Sequence, residues 1–265
     1  MKEKEIYDEP YFRIYLFFMT MALVALAVWM IVASLFKRQM ELKDMQLKLQ
    51  QKELDLANRQ VEMGNQTIFA IANAVDAKDE RTRAHSERVA IYSEMMAREL
   101  GFDEEDCKNI RNAARMHDIG KIAIPDHILN KPGRLTDEEY VIMKSHVIRG
   151  ASILEGFTLL EHVVEGARYH HERYDGKGYP EGLKGEEIPL YGRLIGVADA
   201  FDAMTSNRVY RHQMDMEYVI GEIRRGRGTQ FDPVFADVML KILEEGKIDI
   251  EKLYAVIEDD KEGKA

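Results

Sequence analysis

The segment from Ile14 to Phe36 constrains the fold most, because it contains no charged residue and is bounded by Arg13 and Lys37. A helix of about 20 such residues crosses the hydrocarbon core of a bilayer. Cleaved signal peptides have shorter apolar regions and a small-residue cleavage site, which is missing before Lys37. A uniformly apolar core helix would be unusual in a chain with 32% charged residues. The sequence therefore predicts one transmembrane helix over residues 14–36, after a short tail at residues 1–13.

The distribution of charge predicts the orientation and excludes one class of partner. Basic residues follow the span, whereas the lysines of the tail are offset by acidic residues, and a basic flank favours the cytoplasmic side. We therefore expect a single-pass protein of the inner (cytoplasmic) membrane with its remainder in the cytoplasm. The net charge of −10 argues against binding to nucleic acid polymers. The single cysteine, Cys107, excludes an intrachain disulfide and fits a reducing compartment.

Residues 37–66 form a second region, rich in Lys, Glu, Gln and Leu and without proline, which predicts a helical linker. Apolar residues recur every seventh position in two rows, one from Leu35 to Met63 and one from Met40 to Ile68. The rows are offset by two residues, whereas a coiled-coil seam needs an offset of three or four. The pattern leaves two alternatives open: a parallel coiled-coil homodimer through residues 37–66, or a helix that packs on the domain or is solvated.

After Gly64 the apolar spacing is near 3.6 residues and no segment alternates with period two, which predicts an all-α domain over residues 67–260. Gly101 follows one predicted helix, Thr136 opens a capping box, and Asp232-Pro233 begins another helix. The longest loop, residues 172–190, is rich in glycine and proline. The predicted helices cover residues 67–80, 84–100, 105–117, 136–155, 159–172, 192–206, 215–226, 233–244 and 248–258.

His117 and Asp118 are the first candidates for chemistry, because an imidazole and a carboxylate in one turn offer two kinds of metal ligand and a carboxylate can bridge two ions. A lone pair of this kind also occurs as a helix cap or a solvated pair. Asp199, however, lies in the apolar run 194–201, where a buried carboxylate costs several kcal/mol unless it is paired or metal-bound. Five further histidines are predicted in helical settings: His85, His127, His146, His170 and His171.

Several motifs in a fixed order carry a resemblance to a known family. They are the segments 117–121 (HDIGK), 170–180 (HHERYDGKGYP), 199–206 (DAFDAMTS), 208–211 (RVYR) and 228–233 (GTQFDP), together with His146. Over about residues 65–245 the chain resembles the HD-GYP family of cyclic-di-GMP phosphodiesterases, a branch of the HD metal-dependent phosphohydrolases. The resemblance implies an HD-type helical domain with extra C-terminal helices, preceded here by the transmembrane helix and the linker.

The resemblance also implies a centre with two divalent metal ions, bridged by Asp118. The implied ligands of one ion are His85, His117, Asp118 and Asp199, and those of the other are Asp118, His146, His170 and His171. Two ions about 3.5–4 Å apart stabilise the attacking and leaving oxygens of a displacement at phosphorus. Mixed histidine and carboxylate ligands suit Fe or Mn, although histidines would also take Zn.

Further roles follow from the same resemblance. Lys121 would act beside Asp118 in catalysis, by steadying the phosphate or by protonating the leaving oxygen; a plain surface lysine is the alternative. Arg208 and Arg211 would clamp the phosphates of the substrate. The loop residues Gly178, Tyr179 and Pro180 would frame the guanine-bearing pocket. Some family members hold a third metal through a glutamate four residues before the first histidine, and Arg81 at this position favours two ions.

These residues predict a membrane-anchored, metal-dependent phosphodiesterase that hydrolyses cyclic-di-GMP to pGpG. Because Arg81 replaces the third-metal glutamate, the second cleavage, from pGpG to GMP, is less expected than the first. Two alternatives remain at this point. One is a catalytically weak receptor that binds the cyclic dinucleotide and signals. The other is a phosphohydrolase of another nucleotide phosphoester, because the metal ligands activate water and do not choose the base.

Overall fold

The computed structural model describes residues 10–79, 84–157, 160, 162–206, 216–249 and 253, except the side chains of residues 65, 68 and 69. Every named element in these ranges is helical, which confirms the predicted all-α class. Two short 3-10 turns, Ile119–Ala123 and Gly185–Glu187, join α-helices. The ten α-helices are α1 (Pro10–Lys78), α2 (His85–Glu99), α3 (Glu104–Arg115), α4 (Asp126–Leu129), α5 (Asp137–Lys144), α6 (His146–Leu154), α7 (Val163–Tyr169), α8 (Leu190–Thr205), α9 (Met216–Gly226) and α10 (Pro233–Glu244).

The chain divides into two compact units, Met1–Glu62 and Met63–Ala265. In the first unit, α1 contains a segment that is long and apolar enough to cross a membrane. The large apolar side chains of this segment are exposed, with Trp29 at 66%. The length and composition of α1 agree with the predicted span.

Helix α1 corrects one prediction, because it does not end near Gly64. The sequence suggested a separate helix from residue 67, whereas α1 continues to Lys78. A single glycine inside a helix costs only about 1 kcal/mol relative to alanine, and strong helix formers on both sides outweigh this. No atom lies within 4 Å of the Cβ position at Gly64, so packing does not require a break there.

The core of the second unit lies between α2, α3, α7, α8 and α10, which contact one another. Helix α8 is central and apolar, and its Phe201 packs edge-on against Tyr92 of α2 with ring centroids 4.9 Å apart. Met96 and Ile110 are fully buried beside this pair. Helix α6 packs against the turn Ile119–Ala123 and against α7. These contacts bring α2, the 119–123 turn, α6, α7 and α8 around one point.

The predicted helix over residues 136–155 is two helices that meet at Ser145. The Ser145 hydroxyl donates to the Ile142 carbonyl at 2.6 Å, which is a local bond that competes with the helical backbone ladder. Helix α5 before this point has no buried residue, whereas α6 begins with the buried His146. The predicted helix over residues 159–172 is likewise shorter, since α7 begins at Val163 after His162 with a φ of 58°.

Predicted cap signals are confirmed at three boundaries. Thr136 and Glu139 form a reciprocal capping box at the start of α5. The Asp232 carboxylate accepts from the Val234 N–H at 2.8 Å and caps α10. Gly101 follows α2 with a φ of 82°, a conformation that favours glycine. The predicted helix over residues 248–258 lies mostly outside the described residues.

Candidate metal centre

His117 and Asp118 lie between the end of α3 and the 3-10 turn Ile119–Ala123, so His117 is not inside a helix as predicted by the range 105–117. Gly120 allows this turn to lie directly on α6. A Cβ at Gly120 would lie 1.9 Å from the His146 carbonyl oxygen and 2.5 Å from the Gly150 nitrogen. Only glycine fits this close approach of two backbones, and it brings Asp118 to the start of α6.

The Asp118 carboxylate lies at the centre of the site, with its two oxygens facing different histidines. Oδ1 is 3.3 Å from His146 Nε2 and 3.8 Å from His170 Nε2. Oδ2 is 3.3 Å from His117 Nε2 and 3.7 Å from His85 Nε2. A carboxylate that bridges two ions must face two groups of ligands in this way.

The seven residues implied as ligands come together from five parts of the chain. They form three overlapping groups whose ligand atoms lie within 4.8 Å of one another: His85, His117 and Asp199; His117, Asp118 and His170; His146, His170 and His171. His85 Nε2 lies 3.2 Å from Asp199 Oδ1 and 3.3 Å from His117 Nε2. The Nε2 atoms of His146 and His170 are 3.4 Å apart.

Hydrogen bonds behind the histidines fix which ring nitrogen faces the centre. A backbone carbonyl only accepts, so a ring nitrogen bonded to it carries the proton and the other nitrogen presents a lone pair. Three rings bond through Nδ1 in this way: His117 to the Ala114 carbonyl at 2.6 Å, His146 to the Met143 carbonyl at 2.7 Å, and His170 to the Gly166 carbonyl at 3.0 Å. Their Nε2 lone pairs therefore converge on Asp118.

These contacts test whether the residues fit divalent metal ions. Two Nε2 lone pairs only 3.4 Å apart, at His146 and His170, repel each other unless a cation lies between or beside them. Among the described residues, Asp118 Oδ1 is buried and accepts no hydrogen bond. A buried carboxylate oxygen without a donor is costly, and coordination to a cation removes that cost. The donor set thus fits hard or borderline divalent ions.

The pKa directions of His170, His171 and Asp118 agree with the metal-binding protonation states. At His117, by contrast, burial would lower the pKa, but Asp118 outweighs it and raises that pKa. Burial lowers the pKa of His170 well below its ordinary value, and the neighbouring His171 and His117 lower it further. Burial also lowers the pKa of His171 to about 4. Burial would raise the pKa of Asp118, but Lys121 and His117 outweigh it and hold that pKa well below its ordinary value. Neutral imidazoles and an ionised carboxylate are the forms that ligate metals.

Asp202 and Arg88 form a support for His85 that the sequence reasoning missed. Asp202 Oδ2 lies 2.8 Å from His85 Nδ1, and Arg88 binds both carboxylate oxygens at 2.7 Å and 2.9 Å. Asp202 is fully buried. The sequence offered one signal, the spacing of Asp199 and Asp202 in an apolar helix, but it did not predict that Asp202 faces the back of a ligand. Burial lowers the pKa of His85, but Asp199 and Asp202 outweigh it and raise this pKa to about 10, so an ion must displace a proton there.

Lys121 is held inside the site and is not the surface lysine that was one alternative. Its Nζ lies 2.7 Å from Asp118 Oδ2 and 3.1 Å from Asp79 Oδ2. Only 15% of its side chain is exposed. Asp79, at the end of α1, was not among the predicted site residues.

The glycine-rich loop borders a cavity of about 300 Å³ beside the centre. The residues that line it include His170, His171 and Asp199 of the centre and Gly178 and Tyr179 of the loop. A Cβ at Gly178 would lie 2.3 Å from the Arg173 nitrogen, so this position requires glycine. The Tyr179 ring centroid is 4.9 Å from that of His171. Pro180 follows Tyr179 in the same loop; Arg81, Arg208 and Arg211 lie outside the described residues.

The chain belongs to the HD domain family, which matches residues 70–235. It is 41% identical over 175 residues to the 3'3'-cGAMP-specific phosphodiesterase 2 of Vibrio cholerae, which covers 65% of this chain and 34% of the relative. It is 45% identical over 170 residues to the cyclic di-GMP phosphodiesterase of Thermotoga maritima, covering 63% of this chain and 46% of the relative. Within the family, the chain is a member of the HD-GYP branch, which confirms the resemblance seen in its motifs.

A solved structure supports the fold. The cyclic GMP-AMP phosphodiesterase V-cGAP3 of V. cholerae matches with a TM-score of 0.54 and 20% sequence identity, over 67% of this chain and 48% of that chain. This likeness shows the HD-type helical architecture. The chain spans about a third to a half of the length of the curated relatives it matches. The family and the histidine and aspartate groups together imply divalent metal binding.

Proposed function

We propose that the protein is a membrane-anchored phosphodiesterase that hydrolyses cyclic-di-GMP, or a closely related cyclic dinucleotide, to the linear dinucleotide. The observation that carries the proposal is the convergence of histidine Nε2 lone pairs on the buried carboxylate of Asp118. The named activities of the relatives, on 3'3'-cGAMP and on cyclic di-GMP, support this substrate class.

The proposed centre holds two ions, with Fe or Mn favoured by the mixed ligands. Such ions supply Lewis acidity and activate water for attack at phosphorus. Residues His85, His117 and Asp199 hold one position, and His146, His170 and His171 hold the other, with Asp118 shared. Arg81, at the position where some family members have a glutamate for a third ion, favours two ions rather than three.

Lys121 binds the scissile phosphate in this proposal. Burial would lower the pKa of Lys121, but Asp118 and Asp79 outweigh it and raise that pKa above its ordinary value. A lysine with a raised pKa keeps its proton, which favours steadying a phosphate oxygen over protonating the leaving oxygen. Arg208 and Arg211, which are outside the described residues, are assigned to the phosphates of the substrate from their motif alone.

The loop that carries Gly178, Tyr179 and Pro180 frames the site for a guanine base. Tyr179 and Tyr140 line the cavity beside the centre, and aromatic rings provide stacking surfaces for a base. Ring stacking tolerates any base, so the preference between cyclic-di-GMP and a mixed dinucleotide depends on polar groups at the rim.

The proposed location is the inner membrane, with the α1 segment at residues 14–36 as a single span and the domain in the cytoplasm. The basic residues after the span support this orientation. A homodimer through residues 37–66 is part of the proposal, supported by the exposed Leu42, Leu49 and Leu56 on one row of the linker.

The test uses the full chain in detergent, purified without oxygen and loaded with Mn or Fe. Cyclic-di-GMP and 3'3'-cGAMP are incubated separately, and products are followed by chromatography. We expect conversion to linear dinucleotides, and Asp118→Ala should lose both metal and turnover. The control is Asp55→Ala, a change of an exposed aspartate on α1, which should leave both unchanged.

Three outcomes would contradict parts of the proposal. Absence of product from fully metal-loaded protein would refute the proposed phosphodiesterase activity. Tight binding of the dinucleotide without turnover would favour the receptor alternative. Turnover that survives Asp118→Ala would show that the catalytic site lies elsewhere.

A further inference from the structure

The end of α1 and the residue that follows it, together residues 75–79, contribute to the candidate site from outside the predicted motifs. Ala72 and Val75 are buried and fix this end of the helix in the second unit. The next polar side chains, Asp76, Lys78 and Asp79, each contact an element that carries a site residue.

Lys78 holds the turn on which Lys121 lies. Its Nζ donates to the carbonyl oxygens of Ile122 at 2.8 Å and Ile124 at 2.7 Å, and it approaches that of Lys121 at 3.4 Å. These carbonyls close the 3-10 turn Ile119–Ala123, where few intrahelical donors are available. A cation at this end satisfies them and favours the turn dipole. In return, the Asn130 side chain donates to the Lys78 carbonyl at 3.0 Å, so the contact is made from both sides.

Asp79 holds the ammonium group of Lys121 itself. Its Oδ2 lies 3.1 Å from Lys121 Nζ, opposite the 2.7 Å contact of that Nζ with Asp118. Asp79 is only 4% exposed, so solvent screens this ion pair little. A flexible lysine side chain bound by two carboxylates keeps one position, whereas one bound only by Asp118 could rotate about that contact.

Asp76 supports the helix that carries His85. The first residue before α2, Ala84, has no side chain that can cap the helix. The Asp76 carboxylate takes this role: it accepts from the Ser86 N–H at 3.2 Å and from the Ser86 hydroxyl at 2.7 Å. The end of α1 thereby caps α2 one residue after the candidate ligand.

We propose that the segment 75–79, at the end of α1, is a positioning element of the active site, in which Asp79 sets the place of Lys121 and Lys78 holds the backbone turn that carries it. All three polar contacts are made by side chains within four consecutive positions, Asp76 to Asp79. A shift of α1 by one residue rotates its side chains by about 100° and moves them about 1.5 Å along the axis. Such a shift would break the contacts of Lys78 and Asp79 together, so the place of Lys121 depends on the register of this segment.

The first test does not depend on the proposed activity. Amide hydrogen exchange is measured on the metal-free full chain in detergent, for wild type, Lys78→Met and Lys52→Met. Lys52 is an exposed lysine of the same helix and serves as the matched control. We expect exchange in residues 119–124 to be at least about tenfold faster in Lys78→Met and unchanged in Lys52→Met. Equal rates in wild type and Lys78→Met would overturn the role of Lys78.

The second test rests on the proposed function and separates positioning from general stability. With the loaded enzyme, Asp79→Asn should lower kcat about tenfold at unchanged KM and metal content, and Asp79→Glu should restore most of it. In the Lys121→Ala background the same Asp79→Asn change should alter kcat less than about twofold, because the ammonium group that Asp79 binds is absent. An equal loss in both backgrounds would overturn the inference. If wild type turns over no dinucleotide, the proposed function fails, and hydrogen exchange alone decides the inference.

Discussion

Arg88 provides the sharpest test of the structure around the candidate site. Its side chain is 7% exposed, and its partner Asp202 is fully buried. Two contacts join them, Nε to Oδ1 at 2.7 Å and Nη2 to Oδ2 at 2.9 Å. Arg88→Met keeps much of the apolar volume but removes the guanidinium from the buried carboxylate, which keeps His85 Nδ1 as a partner at 2.8 Å. Breaking a buried pair in this way costs about 3–5 kcal/mol, or about two to almost four orders of magnitude in the unfolding equilibrium.

The assay is pulse proteolysis in urea on the metal-free full chain, which reports the fraction of folded domain without relying on the apolar helix. Arg98→Met is the matched control: Arg98 lies on the same helix and also binds carboxylates, those of Glu94 and Glu104, but its side chain is 48% exposed. Solvent screens such a pair, so its loss should move the urea midpoint little. The double change Arg88→Met with Asp202→Asn should recover much of the loss, because the carboxylate that loses its guanidinium is then uncharged. Equal midpoints for Arg88→Met and Arg98→Met would refute the reasoning.

Two further predictions concern packing and acid stability. Gly120→Ala should disorder the metal centre and lower the metal content, because its Cβ would lie 1.9 Å from the His146 carbonyl oxygen. The control is Gly156→Ala, since no atom lies within 4 Å of the Cβ position at Gly156. Equal metal content in the two variants would contradict the prediction. Burial raises the pKa of Glu87, but Arg115 outweighs it and lowers this pKa below 4.5. Glu87 thus stabilises the fold above pH 4.5, and this stability is lost as the pH falls through the lowered pKa. Glu87→Gln should therefore flatten the loss of stability below that pH, measured by thermal unfolding, and an unchanged acid profile would contradict the assignment.

The sequence was sufficient for features that depend on neighbours along the chain. Caps such as Thr136 with Glu139 were predictable, because a capping box involves residues three apart. The helical class followed from periodicity, which each segment carries by itself. His117, His146 and Asp199 were identified from motifs that occur in a fixed order along the chain. The fold brings these residues into neighbouring ligand groups.

Features that depend on distant residues were missed. Arg88 and Asp202 are 114 positions apart, and Asp79 and Lys121 are 42 apart, so no local pattern links either pair. The helix break at Ser145 was missed for a different reason. A serine within an apolar helical pattern is usually tolerated, and the break is marked by its hydrogen bond to the Ile142 carbonyl. Gly64 was misread in the opposite direction, since a lone glycine was given more weight than its small energetic cost warrants.

The Nδ1 bonds of three histidines reach carbonyls only three or four residues earlier, at Ala114, Met143 and Gly166. The ring orientations are therefore set by the local backbone of each short segment, without a bound ion. Side-chain entropy that flexible ligands lose on coordination is already lost in the folded apoprotein. Metal binding at these three histidines therefore needs no refolding of the domain. The choice among available ions then depends on ligand chemistry and on the supply of each ion in the cell.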